Sequence, residues 1–121
     1  MRSKFFILGL FLIPLFLAGA GCSKKTSGLV AETQGPILFV GYNCPHCAKV
    51  EEFATTNKVQ EKFNFIILEV YKDKNNAALM AEKAGACGLP VSSLGVPFLW
   101  DGSQCLVGDI DIIQFFQDKI K

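Results

Sequence analysis

Of the 121 residues, the first twenty or so read as a targeting segment, and the remaining stretch of about 100 is room for one small domain and not for a second. The formal net charge is +1, from 12 basic and 11 acidic residues mixed along the chain, so there is no broad basic face to neutralise a phosphate backbone and nucleic acid is excluded as a partner. Five cysteines in so short a chain is a high count, and the odd number requires at least one to be unpaired or modified.

Arg2 and Lys4 precede an uncharged run from Phe5 to Gly21, the layout of a secretory signal, so residues 1–22 are read as an export segment. Ala18-Gly19-Ala20-Gly21 leads into Cys22-Ser23-Lys24-Lys25, which resembles a bacterial lipoprotein signal with Cys22 as the lipidated residue; Gly19 stands where such signals usually carry Leu. Two other outcomes stay open, cleavage after Ala20 to release a soluble periplasmic product, or retention as an anchor interrupted by Pro14. Each places the chain outside the cytoplasm, and two of the three tether it to the outer face of the cytoplasmic membrane. Disulfide chemistry is permitted there. Residues 23–35 are polar, with Gly28 and Gly35, and read as a flexible tether with a reach of roughly 20 Å.

The folded domain is assigned to residues 36–121. Pro36-Ile37-Leu38-Phe39-Val40-Gly41 is a continuous apolar run, as expected for a strand buried on both faces. A helix is predicted from Pro45 to about Lys58, with Cys47, Val50 and Ala54 on one face. Phe63 to Val70 reads as a second buried strand, parallel to the first because a helix joins them. Ala77, Met80, Ala81 and Ala84 repeat at helical spacing, and Gly85 is the expected stop. Val96 to Trp100 and Gln104 to Val107 form a hairpin about Asp101-Gly102. Asp109 is the expected N-cap of a last helix that presents Ile112, Ile113, Phe116 and Ile120. The order is βαβαββα, an α/β fold with a central four-stranded mixed sheet flanked by helices and a monomeric domain in outline.

Cys44-Pro45-His46-Cys47 directly follows the first strand and opens the first helix, and Val96-Pro97 opens a later strand. Together these features resemble the thioredoxin superfamily over roughly Ile37 to Ile120. The resemblance implies a cis proline at Pro97 that packs against redox-active cysteines. Pro45-His46 and Val96 are similar to DsbA-type oxidases, whereas the short spacing to Pro97 is similar to glutaredoxins. Gly108-Asp109-Ile110-Asp111 resembles the turn with which glutaredoxins hold glutathione, which makes glutathione a candidate ligand in a protein otherwise without a cofactor. The chain departs from thioredoxin in having Tyr42-Asn43 before the motif and Leu38 where a buried acidic residue is expected.

At the start of a helix the Cys44 sulfur faces unpaired N–H groups, which favours the thiolate. Pro45 has no N–H to leave unpaired and a φ already helical. Bringing a thiol pKa from about 8.5 into the range of roughly 3.5–7.5 needs about 1.4–7 kcal/mol, and a helix terminus contributes about 0.3–1 kcal/mol. Direct hydrogen bonds and His46 are expected to supply the rest. The catalytic set is therefore Cys44, Cys47, His46 and Pro45, with Val96, Pro97 and Tyr42 as substrate contacts.

Three functions stand. The favoured one is an extracytoplasmic thiol–disulfide oxidoreductase acting on protein thiols or disulfides in the oxidising or isomerising direction, re-oxidised by a membrane redox partner. The others are a membrane-side reductase for a specific client and a non-enzymatic metal-binding lipoprotein. A closed zinc site is short of ligands, because His46 is the chain's one histidine, and no metal is expected. Cys87 and Cys105 are expected to form a structural disulfide, with a second redox pair or free thiols as the alternatives. Phe98, Trp100, Phe115 and Phe116 are expected to pack in the core.

Overall fold

The structure, a computed structural model, describes residues 35–121. The export segment, Cys22 and nearly all of the tether lie outside the described residues. The elements in chain order are β1 (Ile37–Val40), α1 (Pro45–Thr56), α2 (Val59–Lys62), β2 (Ile66–Glu69), α3 (Lys74–Ala86), a 3-10 turn at Val91–Ser93, β3 (Phe98–Trp100), β4 (Cys105–Val107) and α4 (Asp109–Lys119).

Successive side chains of a strand point to opposite faces, and this alternation in β1 sets the layering. Leu38 and Val40 enter one core with Cys47, Val50 and Ala54 of α1 and Ile112 and Phe116 of α4. Ile37 and Phe39 enter a second core with Val70, Ala84 of α3 and Phe98. Helices therefore cover both faces. Each fully buried Leu, Ile or Phe contributes about 1.5–3 kcal/mol by leaving water, so the β1 and β3 side chains hold the three layers together.

The sheet order is β2-β1-β3-β4. β1 runs parallel to β2, while β1–β3 and β3–β4 are antiparallel. Leu38 lies between Ile67 and Leu99, and Trp100 is opposite Cys105. The fold is mixed α/β, with an open four-stranded sheet and four helices among the described residues.

Four expectations need correction. The second strand is shorter than Phe63–Val70 and is not buried on both faces: it lies at the sheet edge, Ile66 and Ile67 are each 37% exposed, and the buried apolar residues flank it at Phe65 and Val70. The first helix stops at Thr56, because Lys58 adopts a left-handed conformation (φ 51°) that starts the separate turn α2, where Val59 is buried. The third helix continues past Gly85. Its stop is Gly88 (φ 72°), which lets the Leu89 N–H reach the Ala84 carbonyl at 2.9 Å and the Gly88 N–H reach that of Gly85 at 3.0 Å, a Schellman closure. Finally, Gly108 (φ 95°) and not Asp109 is the N-cap of α4, which places Asp109 in the first turn with its side chain free to reach another helix.

Candidate functional site

β1 delivers the chain into the loop Gly41-Tyr42-Asn43, and Asn43 turns it through a left-handed conformation (φ 54°) into α1. Gly41 is needed here, because a Cβ would collide with the ring of Tyr71. The Glu69 carboxylate, at the end of β2, accepts the N–H groups of Tyr42 at 3.0 Å, Tyr71 at 2.8 Å and Lys72 at 2.8 Å. Desolvation pushes this carboxyl up, but the three N–H donors and the Lys72 charge outweigh it and hold Glu69 below its ordinary value. Lys72 also lies 3.4 Å from the ring centre of Tyr42, so this exposed tyrosine is part of a held loop.

Cys44 is the N-cap of α1 and Pro45 begins the helix. The Cys44 sulfur accepts the Cys47 N–H at 3.1 Å, as a capping serine oxygen would. Cys44 and Cys47 form a disulfide across Cα atoms 5.2 Å apart. The two sulfurs differ in access: Cys44 is half-buried, whereas Cys47 is only 1% exposed and packs on Leu38 and Val50. The Gly41 N–H points at the Cys47 sulfur over 3.5 Å.

The loop before β3 closes over the pair. The Val96–Pro97 peptide is cis, Pro97 is buried, and the Val96 carbonyl oxygen lies 3.7 Å from the Cys44 sulfur. Gly108, where β4 gives way to α4, donates its N–H to the Pro97 carbonyl at 2.9 Å. An open groove of about 370 Å³ beside the motif is lined by Gly41, Asn43, Cys44, Pro45, Ala48 and Glu51.

His46 is exposed, and its hydrogen bond goes to Asp109, with Nδ1 3.1 Å from Oδ1, rather than to the Cys44 sulfur. Because the carboxylate is the acceptor, Nδ1 carries the proton. Lys49 Nζ reaches the other oxygen of Asp109 at 3.2 Å, and the Asp109 side chain is only 14% exposed. The hydrogen bond from His46 lowers the Asp109 carboxyl, desolvation opposes it, and Lys49 adds to the lowering, so Asp109 is an anion at neutral pH.

The predicted residues Cys44, Pro45, His46, Cys47, Val96 and Pro97 thus meet at one end of the sheet, with Tyr42 at its margin. Two participants were not expected, Glu69 and Lys49, and Asp109, expected as an N-cap and in the turn that resembles a glutathione-holding one, instead meets His46 and Lys49. The C-terminal ends of parallel strands open on the same edge, so the acidic residue closing the strand parallel to β1 was a usable signal for Glu69. Asp109 and Lys49 meet only because α1 and α4 pack side by side, and local spacing carries no sign of that.

Away from this site, Cys87 and Cys105 form the second disulfide, with Cα atoms 6.2 Å apart. Cys87 is the C-cap of α3, Cys105 opens β4, and the pair borders a cleft of about 270 Å³ with Leu89, Ser103 and Gln104. Among the described residues no group of three or more His, Cys, Asp or Glu side chains has metal-binding geometry, no buried charged side chain underlies Cys47, and no helix is long and apolar enough to cross a membrane. No protein-family model, characterised protein or solved structure matches the chain.

Proposed function

We propose that the chain is a thiol–disulfide oxidoreductase of thioredoxin-like fold that exchanges disulfides with protein cysteines through Cys44 and Cys47, in the oxidising or isomerising direction. The observation that carries this reading is the difference between the two sulfurs. Cys44 sits within reach of solvent at the N-terminus of α1 and takes the Cys47 N–H at 3.1 Å, while Cys47 is sealed beneath it. The parallel βαβ unit, the antiparallel hairpin leading to α4, and Pro97 beside the motif support the thioredoxin-like assignment. The sequence of residues 1–22 supports export and attachment to the outer face of the membrane.

A substrate thiolate attacks the Cys44 sulfur, the Cys44–Cys47 bond breaks, and Cys47 leaves as a thiolate. The Gly41 N–H, 3.5 Å from that sulfur, stabilises the leaving anion, which takes its proton from water. A second substrate thiolate attacks the substrate sulfur of the mixed disulfide and expels Cys44. In sum, one substrate dithiol becomes a disulfide and the enzyme disulfide becomes a dithiol. The helix terminus stabilises the expelled Cys44 thiolate, which drives the last step forward and makes the pair oxidising. The Val96 carbonyl, beside Cys44, offers the substrate backbone an acceptor.

The test is equilibration of the purified chain against glutathione buffers, with the state of Cys44 and Cys47 read by alkylation. A potential between about −180 and −120 mV is expected for a disulfide donor or isomerase. A value near about −270 mV defeats the oxidising direction and assigns a reductase, and failure to exchange with any dithiol or disulfide defeats the reading altogether.

A further inference from the structure

The cysteine motif carries a charge balance that lies mostly off the motif itself. His46 and Lys49 place two cationic or potentially cationic groups on the first turns of α1, and both reach one carboxylate on another helix, at 3.1 Å and 3.2 Å. The Asp109 side chain is 14% exposed, against 64% for His46 and 61% for Lys49, so the anion is the fixed, poorly solvated member of the cluster. A carboxylate drawn from water acts on neighbouring ionisations more strongly than an exposed one. Asp109 is also held rigidly, because it sits in the first turn of α4 immediately after Gly108, whose N–H is tied to the Pro97 carbonyl. Its position relative to the disulfide is therefore set by the same backbone that closes over Cys44.

We propose that Asp109 is a positioning residue that sets the acidity of Cys44, holding back part of the thiolate stabilisation that His46 and Lys49 would otherwise provide. The proposal rests on the reading of Cys44 as the exchanging thiol. The physical argument is one of sign. The helix terminus, the Lys49 cation and the His46 N–H dipole favour the Cys44 thiolate, whereas the Asp109 anion opposes it and ties the imidazole to α4 through Nδ1. Among the other charged groups nearby, Glu69 and Lys72 hold the loop before Cys44 as a pair of opposite charge; the others are Glu51, which lines the groove, and Asp111, also in the first turn of α4. Both are exposed and more strongly screened. The consequence is a disulfide less oxidising than its helix terminus together with an unopposed His46 and Lys49 would make it, a poise suited to shuffling disulfides as well as donating them.

A structural tie and a charge effect make opposite forecasts. Asp109→Asn and Lys49→Gln break the same contact, so a merely structural role moves the Cys44 thiol in the same direction in both, or in neither. A charge role lowers its ionisation midpoint in Asp109→Asn and raises it in Lys49→Gln. The experiment follows the pH dependence of Cys44 alkylation by iodoacetamide in the full chain with the pair reduced, read as the mass of the Cys44 peptide. The expected result is a fall of about half a unit to one unit in Asp109→Asn, with a threefold to tenfold shift of the glutathione equilibrium towards the reduced protein, about 15 to 30 mV, and a smaller opposite shift in Lys49→Gln. Asp109→Glu, which keeps the charge, restores most of the original midpoint. Midpoints that stay put, or that move together, overturn the proposal. Lys49 is exposed enough for its variant to fold, so its upward shift stands as a test even if Asp109→Asn does not fold. The measurement needs no substrate: opposite shifts in a chain that fails to exchange disulfides support the role of Asp109 while defeating the enzymatic reading.

Discussion

The Glu69 carboxylate accepts the Tyr42 backbone N–H at 3.0 Å, so the end of β2 holds the loop that delivers Cys44 to the start of α1. The same carboxylate takes two more N–H groups, from Tyr71 and Lys72, and stays below its ordinary value of 4.5. A carboxyl lowered in the folded state stabilises that state fully above its ordinary value, and the contribution is lost as pH falls through the lowered value. Asp101, Asp109 and Asp118 are lowered from 3.8 and act in the same sense. Stability is therefore expected to fall as pH drops below about 4.5, and Glu69→Gln is expected to weaken the fold at neutral pH while flattening that acid limb. Urea midpoints measured across the acid range decide it: an unchanged slope in the variant removes Glu69 from the account.

Much of this site was legible because its chemistry is local. Cys44-Pro45-His46-Cys47 carries its own N-cap, its own first-turn proline and a buried second sulfur at helical spacing, and the apolar run Ile37–Val40 announces a strand with two covered faces. What escaped was set by tertiary contact. Phe63–Val70 is as apolar as a central strand, yet sheet order places it at an edge, where Ile66 and Ile67 are part-exposed. Asp109 is a good N-cap by type, but Gly108 takes the cap with a positive φ and leaves Asp109 for His46 and Lys49. Gly85 is a plausible helix stop, but Gly88 has the left-handed backbone that completes the closure on Ala84. In each case the residue types were suited to the expected role, and packing assigned them another.

The unequal access of the two sulfurs predicts which one a substrate meets. In Cys47→Ala the half-buried Cys44, now a thiolate, attacks a disulfide of a protein substrate, one substrate sulfur leaves as a thiolate, and the mixed disulfide has no Cys47 to resolve it. Covalent complexes are expected to accumulate, resistant to boiling without reductant and released by dithiothreitol. Cys44→Ala is expected to form none, because Cys47 is 1% exposed. Trapping of equal amounts by both variants would falsify the assignment of Cys44 as the sulfur that meets the substrate.

The second disulfide is expected to resist reductant that opens the first. Cys44 lies at the N-terminus of a helix, whereas Cys87 lies at the C-terminus of α3, and the Cys105 sulfur is 3.5 Å from the Lys83 carbonyl oxygen. Carbonyl oxygens and the negative end of a helix disfavour a thiolate, so the reduced form of this pair gains no comparable stabilisation. Its crosslink spans a sequence separation of 18, which in the chain-entropy account contributes about 3 kcal/mol. Graded dithiothreitol followed by alkylation and peptide mass should show Cys44 and Cys47 labelled well before Cys87 and Cys105. The double variant Cys87→Ala with Cys105→Ala should lose about 3 kcal/mol in urea denaturation yet keep exchange activity at low temperature. Loss of exchange in a variant that remains folded would instead make the second pair part of the catalytic route.

Phe116 connects the core to the cysteine site. It is fully buried, its ring centre lies 4.7 Å from that of Phe65, and it packs beside Phe63 and Phe115. These contacts seat α4 against the sheet, and α4 carries Asp109 to His46 and Lys49. Truncating a buried phenylalanine to alanine typically costs about 3–5 kcal/mol, a large share of the roughly 5–15 kcal/mol that a native domain has in total. Phe116→Ala is therefore expected to leave a substantial unfolded population at room temperature. Phe116→Leu refills most of the volume and is expected to cost about 1–2 kcal/mol. If α4 also sets the geometry around the motif, the leucine variant shows a changed Cys44 alkylation profile while still folded. A profile identical to that of the unaltered chain, with the expected stability loss, confines Phe116 to the core and leaves the seating of Asp109 to its own bonds.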